Sequence, residues 1–294
     1  MRSEREMMAM FLDCAREYEQ IRAVTLEGSR TNPNAPRDVF QDYDISYHVT
    51  DMALFIDDPS WIDRFGERII LQTPEDMALF PSELGKRFSY LMIFTDGNKA
   101  DLTLIPLDEA EEYRKEDKLM QVLLDKDGVF PGVPPSSDED HWVKRPSAEF
   151  FADCCNEFWM VSTYVAKGLW RKEILFALEH LNSIMRPMLL KLIEWPVGFE
   201  TGFSVSIGKC GKYLERYMTE QDWRKLTATY PGGAYEEAWE ALFVMAELFR
   251  STAEEVAGRL NCEYAREEDE RVTAYLLRVR AWANEAEDGR GVSR

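Results

Sequence analysis

Apolar residues recur at helical spacing near the start of the chain, where Met8, Phe11, Leu12, Ala15 and Tyr18 fall on one face. The run 21–27 then reads as a strand, broken at Gly28-Ser29. A loop rich in Asn, Pro and Arg occupies 30–41, and alternation over 42–49 predicts a second strand. Asp51 is placed to cap a short helix after it, and 69–72 reads as a third strand. The β-rich runs 87–95 and 99–105 flank Asp96-Gly97-Asn98 and predict a hairpin. The absence of a regular parallel βαβ series argues against a doubly wound nucleotide fold.

Turn residues crowd 125–137, which reads as a loop or linker. Beyond it the period becomes helical. Ser147 opens a long segment with Phe150, Phe158, Val161 and Val165 as its apolar positions. Further helices are predicted over 172–194, 220–229, 235–260 and 266–284, with Pro187 kinking or dividing the first of them. The polar tail from Glu285 is expected to fray. The expected class is α+β. A domain over 1–135 holds a mixed β-sheet with flanking helices, and an α-helical bundle domain follows over 136–294.

Composition narrows the partners. The 294 residues are 45% hydrophobic, enough for a packed core, and carry a net charge of −19. That charge disfavours nucleic acid, whose binding depends on Lys and Arg displacing counterions. It also disfavours anionic membrane surfaces, and it draws cations toward any cleft lined by carboxylates. No run approaches the roughly 20 apolar residues of a spanning helix. The five cysteines lack metal-ligand spacing, and the first residues carry no apolar signal core. A cytoplasmic, monomeric protein with reduced thiols is expected.

One segment carries chemistry. Asp42 and Asp44 are two apart on a strand, so their carboxylates share a face, while Tyr43, Ile45 and Tyr47 point into a core. Paired carboxylates repel unless a cation lies between them, and hard oxygen ligands suit Mg²⁺. Gly28 lets backbone approach a phosphate, and the Ser29 hydroxyl can donate to it. Asp101 sits in an apolar strand, where an acid is costly unless paired or metal-bound. Three such acids would suit a two-metal phosphoryl- or nucleotidyl-transfer site for a nucleoside triphosphate. Other motifs are set aside. Asp125-Lys126-Asp127-Gly128 lacks the later ligands of a calcium loop. His48, His141 and His180 are not spaced as ligands. Cys154-Cys155 and Met160, Met185 and Met188 read as packing residues.

Gly28-Ser29, then Asp42-x-Asp44, then a later strand Asp resembles the nucleotidyltransferase superfamily of the polymerase-β type. The stretches 40–45, 61–66, 101–106, 122–128, 153–159, 164–170, 180–182, 186–190 and 211–214 are similar to bacterial aminoglycoside 6-adenylyltransferases. The resemblance runs from about Arg5 to Arg280. It implies Mg²⁺-dependent transfer of AMP from ATP to the 6-hydroxyl of streptomycin, with release of pyrophosphate. It implies Asp42 and Asp44 as Mg²⁺ ligands and Asp101 as metal ligand or general base, the base being favoured. Gly28, Ser29, Arg30 and Lys212 are candidate contacts to the nucleotide. The helical half would supply a second wall, where Asp153, Glu157, Trp159, Trp170 and Glu173 are candidate contacts to a guanidinium-bearing drug. The competing reading makes the tryptophans core and the acids a solvated helix face. Rival functions are a nucleotidyltransferase acting on another small molecule, or on a protein as in toxin–antitoxin systems, and a nucleotide sensor without turnover. The net charge disfavours an RNA-tailing enzyme.

Overall fold

The computed structural model describes residues 1–79 and 81–287. Met1–Asp140 form one compact unit, and the chain from His141 onward forms a second.

In the first unit, α1 (Glu4–Glu17) starts at a reciprocal cap. Glu6 N–H donates to Ser3 Oγ at 3.3 Å, and Ser3 N–H donates to the Glu6 carboxylate at 2.7 Å. Six strands follow: β1 (Ile21–Glu27), β2 (Tyr43–Val49), β3 (Arg68–Gln72), β4 (Phe88–Phe94), β5 (Lys99–Pro106) and β6 (Met120–Asp125). Two short helices, α2 (Ala53–Ile56) and α3 (Ala110–Tyr113), lie between them. Leu54 N–H donates to Asp51 Oδ1 at the entry to α2, as the capping expectation requires. The sheet order is β3-β4-β5-β2-β1-β6. The β2–β5 pair is parallel and the other pairs are antiparallel, so the sheet is mixed.

Alternation gives this sheet two unlike faces. Val24, Leu26, Tyr43, Ile45, Tyr47, Tyr90, Met92, Leu102 and Leu104 are buried together with Phe11 of α1. The opposite face carries Thr25, Glu27, Asp44, Ser46, His48, Ser89, Asp101 and Thr103, matched across strands by the register. The sequence pattern does not announce β6. It is an edge strand with only Met120 fully buried, so its alternation is weak. The turn after it falls within the breaker-rich stretch 125–137. Asp125 accepts from the N–H groups of Val129 (3.0 Å) and Phe130 (2.9 Å).

The second unit is helical: α4 (Ala148–Trp170), α5 (Ile174–His180), α6 (Arg186–Thr201), α7 (Glu220–Ala228), α8 (Tyr235–Leu260) and α9 (Arg266–Glu287). Ser147 caps α4 by accepting from Phe150 N–H at 3.0 Å. The break near Pro187 is a widened π turn, Leu181–Met185, after which Pro187 occupies the first turn of α6. Phe150 and Met160, expected among the packed positions, are 53% and 49% exposed. Phe158, Val161 and Val165 are buried as expected, and the buried stripe of α4 also takes in Phe151, Cys154, Cys155 and Trp159. Phe158 stacks on Phe249 at 3.7 Å, and buried Asp269 takes two bonds of 2.6 Å from Arg250. Helix α9 continues past Asn284 to Glu287; the remainder of the tail expected to fray lies outside the described residues. Among the described residues, no helix is long and apolar enough to cross a membrane.

His48 offers a test of the polar face. Its Nε2 lies 3.1 Å from Thr25 Oγ1, and its ring meets Phe130 and Tyr113 edge-on. Burial, reinforced by the charge of Arg87, lowers its pKa from 6.5 to about 4. Below pH 6.5 the unfolded chain takes up a proton that the folded chain refuses until about pH 4, so stability falls through that window. Urea titrations should show wild type losing on the order of 3 kcal/mol more than His48→Gln between those limits. Parallel acid limbs would mean that folding does not hold the imidazole neutral.

Candidate active site

Strand β1 delivers the chain to a turn that requires glycine. Gly28 has φ +67°, the left-handed region that strains a side chain. Space excludes one as well, since a Cβ there would lie 2.3 Å from Asp44 Oδ2. The single 3-10 turn Gly28–Arg30 is fastened by Gly28 N–H donating to the Leu119 carbonyl and Thr31 N–H donating to that of Gly28, each at 3.1 Å. Ser29 is partly exposed beside it.

Arg30, expected at phosphate, is buried and spent on the backbone. Its Nε donates to the Asp42 carbonyl (2.9 Å) and its Nη2 to the Gln41 carbonyl (2.7 Å). The guanidinium lies 3.6 Å over the Tyr43 ring, and Glu4 approaches it at 3.4 Å. Gln41 Nε2 donates back to the Ser29 carbonyl at 3.2 Å. Arg30 therefore corrects the expectation: it fixes the entry to β2, and with it the position of Asp42.

The acids form a row. In the sheet register Glu27 faces Asp44, and Asp44 faces Asp101 across the parallel β2–β5 pair. Asp42 precedes β2 by one residue. The structure thus brings Gly28, Asp42, Asp44 and Asp101 together. Lys99, two residues before Asp101, donates from Nζ to Asp42 Oδ2 (2.6 Å) and to Asp101 Oδ2 (2.8 Å). The other Asp101 oxygen, Oδ1, is buried with no hydrogen-bond partner among the described residues.

The electrostatics follow from crowding. Burial, then the charges of Asp101 and Asp42, raise the Asp44 carboxyl to about 6, while Lys99 and Arg30 oppose the rise. Burial lifts Glu27 further, to about 8, and leaves it largely protonated at neutral pH. Ser46 Oγ reaches the Glu27 carboxylate at 3.2 Å and the Tyr113 hydroxyl at 2.9 Å. No three His, Cys, Asp or Glu side chains among the described residues already close on one metal position. The residues still fit a hard divalent cation. The donors are carboxylate oxygens, one of them orphaned, and Mg²⁺ beside a nucleotide commonly takes only one or two carboxylates plus phosphate oxygens.

The remaining candidates lie in the second unit. Asp153 and Glu157 are exposed on α4, and Glu173 and Trp170 are exposed near its end. Trp159 is not available to a ligand, being 2% exposed in the core with its indole N–H donating to Tyr264 Oη at 3.0 Å. Its helix turns it inward beside Phe158, which corrects its reading as a substrate contact. Lys212 is exposed, with Nζ 5.0 Å from the centre of the Tyr213 ring. Sequence reasoning missed Glu27 and Lys99, although Lys99-x-Asp101 repeats the spacing of Asp42-x-Asp44 and so places both side chains on one face.

Comparison with known proteins gives a consistent result. Residues 1–279 match the family model described as streptomycin adenylyltransferase. The chain is 52% identical over 276 residues to an aminoglycoside 6-adenylyltransferase of Bacillus subtilis, covering 94% of this chain and 97% of that protein. It is 49% identical to one from Campylobacter jejuni (95% and 96% covered) and 42% identical to one from Staphylococcus aureus (90% and 94% covered). A crystal structure of an aminoglycoside 6-adenyltransferase from Bacillus subtilis matches at 48% identity and a TM-score of 0.47, covering 95% of this chain and 99% of that one.

Replacing Gly28 by Ala should be worse than replacing a glycine of similar backbone in open space. Gly128 has φ +68°, and a Cβ there would meet nothing within 4 Å among the described residues. Gly128→Ala should cost about 1 kcal/mol for the backbone alone. Gly28→Ala should cost at least about 1 kcal/mol more, because Asp44 must move. Equal urea midpoints for the two variants would remove the contact between Gly28 and Asp44.

Proposed function

The chain belongs to the streptomycin adenylyltransferase family, and from that premise we propose that it transfers AMP from ATP to the 6-hydroxyl of streptomycin in an Mg²⁺-dependent reaction. The observation that carries this reading is the pairing of Asp44 with Asp101 on adjacent parallel strands, with Asp42 beside them and Gly28 against Asp44. Such a set of oxygens suits metal-assisted nucleotidyl transfer.

Asp42 and Asp44 would hold the metal. Bound Mg²⁺ would neutralise phosphate oxygens and so ease attack at the α-phosphorus and departure of pyrophosphate. Asp101 accepts the hydroxyl proton, and its unpartnered Oδ1 has the capacity to do so. The drug oxygen then bonds to the α-phosphorus, and the bond from that phosphorus to the β-phosphate bridge breaks. Gly28 gives room for a phosphate to approach the backbone, the Ser29 hydroxyl donates to it, and exposed Lys212 offsets triphosphate charge. Asp153, Glu157 and Glu173 attract the drug's guanidinium groups, and Trp170 offers an exposed ring face. The net charge of −19 favours a cationic acceptor. The enzyme acts as a monomer in the cytoplasm, where ATP is at hand.

Pure protein incubated with ATP, Mg²⁺ and a panel of aminoglycosides should release pyrophosphate and add the mass of one AMP to streptomycin. A panel left unmodified would overturn the proposal. Asp42→Asn and Asp44→Asn should each lower turnover by about 100-fold or more while the protein still folds. Asp101→Asn should keep ATP–Mg²⁺ binding in calorimetry and lose about 100-fold or more in rate, as removal of a general base does. An undiminished rate would exclude Asp101 as the base.

A further inference from the structure

Lys99 already engages one of the proposed metal ligands. Its ammonium bridges Asp42 Oδ2 at 2.6 Å and Asp101 Oδ2 at 2.8 Å, and so engages two of the three carboxylates. The lysine opens β5 and is about one-third exposed, so its four-carbon stem can carry the charge elsewhere without unfolding a strand. Asp101 Oδ1 receives nothing from Lys99 and has no other partner among the described residues. The ammonium therefore leaves the site incompletely satisfied. Three donors on a point charge cannot reproduce what a dication gives to several carboxylate oxygens.

We propose that Lys99 is an exchangeable counter-ion: it competes with the divalent cation for Asp42, and yields when a nucleotide triphosphate offers the ammonium other oxygens. A metal ion and an ammonium repel, and both seek the Asp42 carboxylate. Metal alone must displace Lys99 into solvent. Metal arriving with a triphosphate brings anionic oxygens that Lys99 can bind as it leaves the carboxylates. The site thus disfavours bare Mg²⁺ and favours the metal–nucleotide pair. Lys99 acts here as a positioning residue, and the inference rests on the metal assignment to Asp42 and Asp44 made above.

The test uses Mn²⁺ as probe, with binding read by electron paramagnetic resonance on the full chain and no nucleotide or drug present. Lys99→Met and Lys99→Gln should each bind Mn²⁺ about tenfold or more tightly than wild type, since one adjacent charge shifts a carboxylate's proton affinity by a comparable factor. Lys99→Arg should restore weak binding. Adding a non-hydrolysable ATP analogue should shrink or reverse the advantage of the neutral variants, because they lack the cation that the phosphates engage. Two neutral variants, both checked by circular dichroism, guard against a single misfolded one. Asp42→Asn in the Lys99→Met background should abolish the gain. Equal Mn²⁺ affinity in wild type and the neutral variants overturns the counter-ion role. No Mn²⁺ binding by any variant overturns it too, and takes the metal assignment with it. Failure to modify streptomycin while the Mn²⁺ pattern holds would instead refute only the acceptor.

Discussion

Like charges held close together are the constraint around which the first unit is arranged. The parallel pairing of β2 with β5 places Asp44 directly opposite Asp101, and Asp42 follows them by strand alternation. Three ionised carboxylates in that space would repel strongly where burial weakens water's screening. The structure relieves the strain in separate ways. Burial keeps Glu27, the next acid in the row, largely protonated, so it adds little negative charge at neutral pH. Asp44 is itself raised into the weakly acidic range. The Lys99 ammonium is divided between Asp42 and Asp101. What remains is an appetite for positive charge, a property of the backbone register as much as of the side chains.

The two faces of the sheet divide the labour. Tyr43, Ile45 and Tyr47 anchor β2 in the core beneath α1, and the Tyr47 hydroxyl donates to the Phe11 carbonyl at 2.7 Å. Deep burial on that side fixes the register, because a slip of one residue would turn every side chain over. The acids on the other side are held in place by a hydrophobic preference in which they take no part. The helical unit is stabilised on its own terms, by the stacked pair Phe158 and Phe249 and by buried Asp269, which pairs with half-buried Arg250 and accepts from the Tyr264 hydroxyl at 2.8 Å.

Much of this was legible in the chain. Alternation announced β2, a run broken at Gly28-Ser29 announced β1, and β-rich runs about the turn Asp96-Gly97-Asn98 announced the β4–β5 hairpin. The acids Asp42, Asp44 and Asp101 stood out as charges inside or beside such runs. Glu27 was harder to see because it ends a strand, where a charge draws no notice. Lys99 was harder still, since a basic residue after a turn reads as solvated surface until the fold brings Asp42 to it. Arg30 and Trp159 show the opposite limit. Residue type suggested a ligand contact for each, but only three-dimensional packing reveals that Arg30 is consumed by two carbonyls and that Trp159 faces Tyr264.

Arg30 also separates the site from the segment that precedes it. Its bonds to the Gln41 and Asp42 carbonyls, with the Gln41 amide returning to Ser29, tie the two ends of the 31–41 loop directly to each other. The intervening residues carry little of the burden of placing Asp42, and most of them are exposed. Such a clasp confers tolerance to insertion: the loop can lengthen, shorten or change composition while its endpoints keep their spacing.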